Sequence, residues 1–510
     1  MTVTRHWAAL LAGWCIPLVL AAAPDPAAAV NVALITERAG ANSVEVATEA
    51  GLGRNIVPAC KMKGFQWSWD GTRLAYVTPK DDSLELHAVD IPAAIDTVVA
   101  ASKDLVSMRW APDCKHLAYA TYDAAAKVGH IRVTDVTAPA GTAPLDASGT
   151  LNPGISGDYA FSHDSRFLVF GVPKATDITV GEHKIPQRTC AIADLARGTV
   201  LELPRLNALY WAWSPTAPEF GLLATVGEDL TRQLMIVDVT DGQVKPPVRV
   251  SKLGDQLLAD VTAFDWSPVG GHLAFRTALR TSREDERATE GRVFLVNTRT
   301  KVSTMVQGTK NAINFAWAPN GQAFLLEDAD PESGAGKERL RIGQLSDPLT
   351  GDSWLVPEAV GIATTKLAWS PDSSALGYIR QGAIYVVDLA TRKTRLWCDS
   401  VNVEAISWVP DGKSVVAIMR SPKGDSLSIS QVVPREAEGS ATVRRVSGEF
   451  RCSVSMDWAP DGVHLLALAH LNADTAKGLL FSLRREGERP LEVSLSNAVV
   501  SASWFPKVKP

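Results

Sequence analysis

The sequence is poor in cysteine. Six occur in 510 residues, and Cys15 falls in an apolar leader, which leaves Cys60, Cys114, Cys190, Cys398 and Cys452. This odd, scattered set contains no C-x-x-C pair, so it excludes a disulfide-dense framework and the common structural zinc spacings. Cys398 and Cys452 precede successive copies of a repeat described below; a bridge between them is one reading, and buried small apolar side chains are the favoured one. Charge of one sign is lacking as well. A net charge of -5 and a pI near 6.0 give no general basic footprint, so no nucleic acid or anionic lipid partner is expected. Beyond the first thirty residues no window holds 18 consecutive apolar residues, so no transmembrane span is expected in the mature chain. No window keeps a capped helical period either, which excludes an α-solenoid.

What the sequence does have begins with a leader. "MTVTRHWAALLAGWCIPLVLAAAPDPAAAV" carries Arg5, an apolar stretch from Trp7 to Ala23, and small residues at Ala27, Ala28 and Ala29. This is the layout of a secretory signal peptide over residues 1–29, with cleavage near Val30 and a periplasmic or secreted destination.

The rest of the chain repeats one phrase. Residues 367–394, "LAWSPDSSALGYIRQGAIYVVDLATRKT", have counterparts at "FDWSPVGGHLAF" from Phe264, "FAWAPNGQAFLL" from Phe315, "ISWVPDGKSVVAI" from Ile406 and "MDWAPDGVHLLAL" from Met456. Aligned on its aromatic residue, the phrase recurs at Trp67, Trp110, Phe161, Trp213, Trp266, Trp317, Trp369, Trp408, Trp458 and Trp504. The residue two positions earlier is apolar each time, which is the period of a strand. Pro, Asp and Gly follow the aromatic and specify a tight turn. A second strand comes next, then a third ending on Asp or Asn (Asp90, Asp135, Asp194, Asp238, Asn297, Asp388), then a short fourth. Four antiparallel strands per unit of about 50 residues predict an all-β propeller over residues 30–510.

The phrase W-S-P-D-G-x-x-L-A-F, followed by I-Y-V-V-D-L-x-T, resembles the blade motif of the TolB-like, WD-type β-propellers, a group also found in prolyl-oligopeptidase-type and tricorn-type proteins. Strands follow the leader directly, so the extra N-terminal domain of TolB itself is not expected. The last copy stops after one strand, and residues 30–50 read as strands with no repeat aromatic ahead of them. Each end lacks what the other has, so the expectation is about ten blades closed by one composite blade. The alternative is two smaller propellers divided at the Pro/Gly-rich stretch from Thr137.

From repeat aromatic to the end of strand three the length varies widely between copies, while the turn after the aromatic is nearly constant. One rim is therefore uniform and the other, carrying the loops between strands two and three, is elaborated. Binding residues concentrate on such loops. The candidates there are Arg280, Arg283, Glu284, Asp285 and Arg287 on one loop, Asp328, Asp330, Glu332 and Lys337 on another, and His183 on a third. Gln66, Arg109, Asp265 and Asp457, just ahead of the repeat aromatic, are candidates for the central channel.

No G-x-S-x-G elbow, H-E-x-x-H pair or EF-hand series occurs, and "SGAGKER" fails the P-loop pattern because Pro331 replaces its first Gly. His116, His272 and His464 share one offset in distant blades and read as strand-start histidines rather than ligands; His130 and His470 are minor candidates. No catalytic residue, metal or cofactor is expected. Together with the resemblance, these features predict an exported, non-catalytic scaffold that binds a protein or peptide partner in the cell envelope through its long-loop face. The alternative is a glycan-active enzyme or carbohydrate-binding protein with a polar pocket at the channel mouth.

Overall fold

A computed structural model of the chain describes residues 31–505 apart from short internal stretches, the longest being 281–288, 329–338 and 483–490; residues 1–30 and 506–510 also lie outside the described residues. Everything regular in it, barring one short turn, is strand.

Among the described residues ten blade-sized antiparallel sheets follow one another along the chain, nine of four strands and one whose outermost strand is split in two, with two further two-stranded hairpins between them. Chain order runs from the innermost strand outward. In the first repeat these are Gly64–Trp67, Arg73–Lys80, Ser83–Asp90 and Ile95–Ser102. The aromatic thus ends the innermost strand, and the Asp ends the third. At that Asp the side chain caps the next turn: Asp90 Oδ1 accepts the Ala93 N–H and Asp388 Oδ1 accepts the Thr391 N–H, the local bonding that makes Asp a turn residue.

Closure is by composite. The last strand, Ala498–Phe505, is innermost in a sheet whose other members are the first three strands, Asn31–Arg38, Ala41–Thr48 and Gly51–Cys60. No sheet edge is left open between the chain ends, as a propeller requires.

Packing between blades is equally regular. Ten buried apolar clusters each span two neighbouring sheets: Ala75, Leu86 and Trp110 join the first two repeats, Tyr378 and Leu325 join the Trp317 and Trp369 blades, and Leu34, Leu466 and Trp504 join the Trp458 blade to the closing one. The repeat tryptophans stitch these layers. Eight of the nine repeat tryptophans donate through Nε1 to the innermost strand of the preceding blade, among them Trp110 to Gln66 O at 3.0 Å, Trp213 to Ala160 O at 2.9 Å, Trp266 to Ala212 O at 2.9 Å and Trp408 to Ala368 O at 2.9 Å. Where Phe161 offers no N–H, the Tyr159 hydroxyl reaches Ala118 O of the previous blade at 3.2 Å. The apolar clusters join every neighbouring pair of blades, round to the closing one and back to the first, so the chain forms one ring and not two. The stretch from Thr137 does not divide it: it contains the outer strand Leu145–Asp146 of the Trp110 blade, and Asn152 Oδ1 accepts the Gly129 N–H at 2.8 Å.

Candidate functional site at the channel mouth

Strand order puts the loops between strands two and three on the same rim as the blade-to-blade connections, so the start of every innermost strand opens on the elaborated face. There the repeat departs from regular pairing. In seven innermost strands an extra residue is bulged out four positions before the aromatic: Val106, Leu209, Thr262, Ile313, Glu404, Val454 and Val500. Such bulges twist a free strand edge away from further pairing and re-aim side chains. Val106, Ile313 and Val500 are each about 40% exposed as a result.

On one arc, three arginines of successive blade interfaces fix these bulges. Arg188, from the Phe161 blade, donates through Nε to Ala208 O at 3.0 Å and through Nη2 to the bulged Leu209 O at 2.6 Å, pairs with Asp158 and lies over the Trp211 ring at 4.8 Å. Arg232 forms a two-pronged pair with the buried Asp260 at 2.9 and 2.8 Å, just before the next bulge. Arg276 bonds Thr262 Oγ1 at 3.0 Å, and its Nη1 donates to Ala312 O and to the bulged Ile313 O. Burial and then Arg232 lower the pKa of the Arg276 guanidinium, which remains charged at any physiological pH.

These staples hold a row of exposed groups on three blades of the arc. Three residues before the aromatic stand Asp158, Tyr210 and Asn314, all exposed. Asp158 is held by Arg188, Tyr210 packs on Phe264 with ring centroids 5.3 Å apart, and the Asn314 amide donates to Glu327 Oε2 at 2.6 Å. Deeper in the channel, on the Trp266 blade between them, lies Asp265. Solvent reaches its side chain, yet the surrounding inner strands strip much of its hydration and push its carboxyl up to about 6. That combination marks a group lining a narrow water-filled passage. It also gives the arc one proton-transfer group in the neutral range.

Of the other channel candidates, Gln66 is a joint: its Oε1 accepts the Trp110 backbone N–H at 3.2 Å. Arg109 is exposed on the Trp110 blade, beside the Phe161 blade where the arc begins, and Asp457 is exposed on the Trp458 blade, farther round the ring. On the loops, Asp328 is half-buried at the end of its strand, in register with Arg339. Arg280 ends the strand His272–Arg280 and His183 opens the hairpin strand His183–Ile185, but their side chains lie outside the described residues, as do Arg283, Glu284, Asp285, Arg287, Asp330, Glu332 and Lys337 altogether. His130 pairs with Asp146 at 3.1 Å on the outer strands, away from the channel. Among the described residues no group of three or more His, Cys, Asp or Glu is placed to hold a metal ion. No helix among them is long and apolar enough to cross a membrane.

Asp158, Tyr210, Asn314 and the three arginines were not singled out from the sequence. A signal existed: Arg188 and Arg232 both stand six residues before the Asp of strand three, and Asn207 and Asp260 both stand six before the repeat aromatic. The equivalence is structural, since Asn207 Oδ1 accepts the Arg188 N–H and Asp260 Oδ1 the Arg232 N–H.

No protein-family model matches the sequence, and no curated protein matches it. The chain is a β-propeller. Solved structures of similar fold include a eukaryotic initiation factor, 11% identical with a TM-score of 0.47 over 82% of this chain and 96% of that one. They also include an oligogalacturonate lyase from Vibrio parahaemolyticus, 11% identical with a TM-score of 0.36 over 76% and 93%, and dipeptidyl peptidase 4 from Porphyromonas gingivalis, 11% identical with a TM-score of 0.44 over 78% and 62%. The expectation of a non-catalytic protein-binding scaffold is corrected here. The solved structures of similar fold include a lyase and a peptidase, so the likeness of fold does not favour a non-catalytic scaffold.

Proposed function

We propose that this propeller acts on or binds carbohydrate at its channel mouth, along the arc of Asp158, Tyr210, Asp265 and Asn314. The carrying observation is the arginine stapling of three successive interfaces, which fixes side chains of the type that recognise sugars. A carboxylate and a carboxamide, each already oriented by a neighbour, offer directed acceptors and donors to vicinal hydroxyls. The exposed Tyr210 ring offers an apolar face to the C–H side of a pyranose. Groups ordered in advance lose little entropy on binding. Asp265 supplies a proton donor and acceptor near pH 6 if turnover accompanies binding. The same reading takes the chain as an exported, TolB-like protein of the cell envelope, on the strength of its blade phrase and its leader; N-terminal sequencing of the secreted form is expected to start near Val30.

A glycan array tests the binding. The wild type is expected to retain a restricted set of glycans, with Tyr210→Ala and Asn314→Ala each weakening it by about tenfold or more at unchanged melting temperature. Incubation of the retained glycans with wild type and Asp265→Asn then reads turnover. Absence of any retained glycan, or equal retention by both variants, rejects the proposal.

A further inference from the structure

We propose that the ring carries a proton-operated latch on the seam where the closing blade meets the first repeat. His87, set between Asp96 and Glu85, ties the outer half of that seam when protonated and loosens it when neutral. The latch is separate from the channel mouth and stands independently of the carbohydrate reading.

Register places the group. Tyr76, His87 and Val98 stand opposite one another on the second, third and fourth strands of the first repeat. That side of the sheet faces the closing blade, for Tyr76 is buried in one cluster with Ala33, Ile35 and Val57. His87, with a side chain 12% exposed, lies flat on the Tyr76 ring, centroids 4.6 Å apart and planes at 15°. Its Nδ1 is 3.1 Å from Asp96 Oδ1, and its Nε2 is 3.6 Å from Glu85 Oε2. The other oxygen of each carboxylate is already taken, since Tyr76 donates to Asp96 Oδ2 at 2.7 Å and Lys80 Nζ donates to Glu85 Oε1 at 2.8 Å. Each carboxylate keeps one oxygen for the imidazole.

A neutral imidazole carries one N–H. Placed on Nδ1, it serves Asp96 and leaves Nε2 a buried lone pair without a hydrogen-bond partner, facing a carboxylate oxygen. Placed on Nε2, it serves Glu85 and sets the Nδ1 lone pair against Asp96. Only the imidazolium donates to both, and the face of the Tyr76 ring favours a cation above it. Three further groups at the seam keep their charge state near neutrality. Burial and then the bond to Asp96 push the Tyr76 hydroxyl well above its usual value. Burial and then the Asp96 charge raise the thiol of Cys60, which ends the closing blade's outermost strand. Burial opposes the Asp96 charge, but bonds from His87 and Tyr76 outweigh it and hold that carboxyl below the usual range. Also from the closing blade, Arg54 reaches across to Pro92 O at 3.1 Å. Imidazole is the side chain whose charge ordinarily changes between about pH 5 and 8, so the proton on His87 is the switch. A metal ion between Nε2 and Glu85 is the competing occupant, and among the described residues no third His, Cys, Asp or Glu completes a set for one.

The test is hydrogen exchange of the full chain, read as protection of the amides in Gly51–Cys60 and Ser83–Asp90 relative to their intrinsic rates at each pH. In the wild type, protection is expected to be at least about tenfold higher at about pH 5.5 than at about pH 8.5, the effect of one charge-assisted hydrogen bond. His87→Gln keeps a polar side chain that does not titrate, so it should flatten this dependence while matching the wild type at the higher pH. Glu85→Gln should reduce the dependence without abolishing it. Protection that is constant with pH, changes in the opposite direction, or changes equally in His87→Gln overturns the inference. So does zinc, if it restores protection at the higher pH in the wild type and not in His87→Gln, because the gap then belongs to a cation. If His87→Gln fails to fold, the NMR titration of the His87 ring protons in the wild type decides, and protection that does not follow that titration overturns the latch.

Discussion

Trp67 and Ser501 lie 434 positions apart and meet in a hydrogen bond of 3.1 Å from the indole Nε1 to the hydroxyl Oγ. It is the closing member of the series in which repeat tryptophans reach back to the preceding blade. Trp67→Phe keeps the ring and removes the donor, so it should cost about 1 kcal/mol. Trp504→Ala empties a site that is 1% exposed in the same blade and should cost about 3–5 kcal/mol. Urea unfolding of the two variants measures the difference.

Gly71 and Gly412 hold the same turn position with the same φ of +69°. A Cβ at Gly71 would overlap the Trp504 carbonyl oxygen across the closing seam, whereas one at Gly412 meets nothing within 4 Å. Gly412→Ala should therefore cost only the left-handed penalty of about 1–2 kcal/mol, and Gly71→Ala distinctly more. Equal losses in melting temperature would contradict the seam as described.

Asp265 binds its proton more tightly in the folded chain than in the unfolded one, because desolvation lifts its carboxyl from 3.8 to about 6. Its ionisation opposes folding, and stability is lost as pH rises from about 4 through about 6. Asp265→Asn should melt higher than wild type at pH 7–8 and alike at pH 4. A destabilised variant at neutral pH would show that the carboxylate is a structural anchor instead.

The turn pair of Asp113 and His116 titrates on both sides. Burial pushes the Asp113 carboxyl up, but bonds from the His116 ring and from the His116 and Lys115 backbone N–H groups outweigh this and hold it at about 2. The hydrogen bond to Asp113 raises the His116 pKa above its usual 6.5 against opposing burial. The carboxylate's share of stability is present above about 4 and fades toward pH 2; the imidazolium's share is complete below about 6.5 and fades as pH rises past the raised value. Melting curves from pH 3 to 9 should show a gain for wild type over Asp113→Asn that is greatest between about 4 and 6.5.

The blade was legible in the sequence because period-two apolar residues, Pro–Asp–Gly turns and the Asp ending strand three are each local rules with local causes. Closure was legible because the unmatched strands at 31–48 and 498–505 had one way to satisfy their edges. The single ring was expected on the same ground, with two rings as the alternative, because which indole meets which carbonyl is decided between units rather than within them. The stapled arc was hidden for a related reason. Arg188 reads as a surface arginine on a strand, and only the neighbouring blade supplies Ala208 O and Leu209 O to receive it. The bulges at Leu209 and Ile313 leave the apolar alternation near the aromatic untouched, so nothing upstream announces the extra residue. Gln66 shows the converse: a polar exception that looked like a channel ligand is a joint between blades.

The central proposal is a carbohydrate site at the channel mouth. Saturation-transfer NMR, with the wild type and a glycan it retains on the array, tests this most directly. Transfer to the sugar ring protons is predicted for the wild type and should vanish in Tyr210→Ala, whose melting temperature stays within about 2 °C because that side chain is 41% exposed. Undiminished transfer in that variant would contradict the assignment of the site.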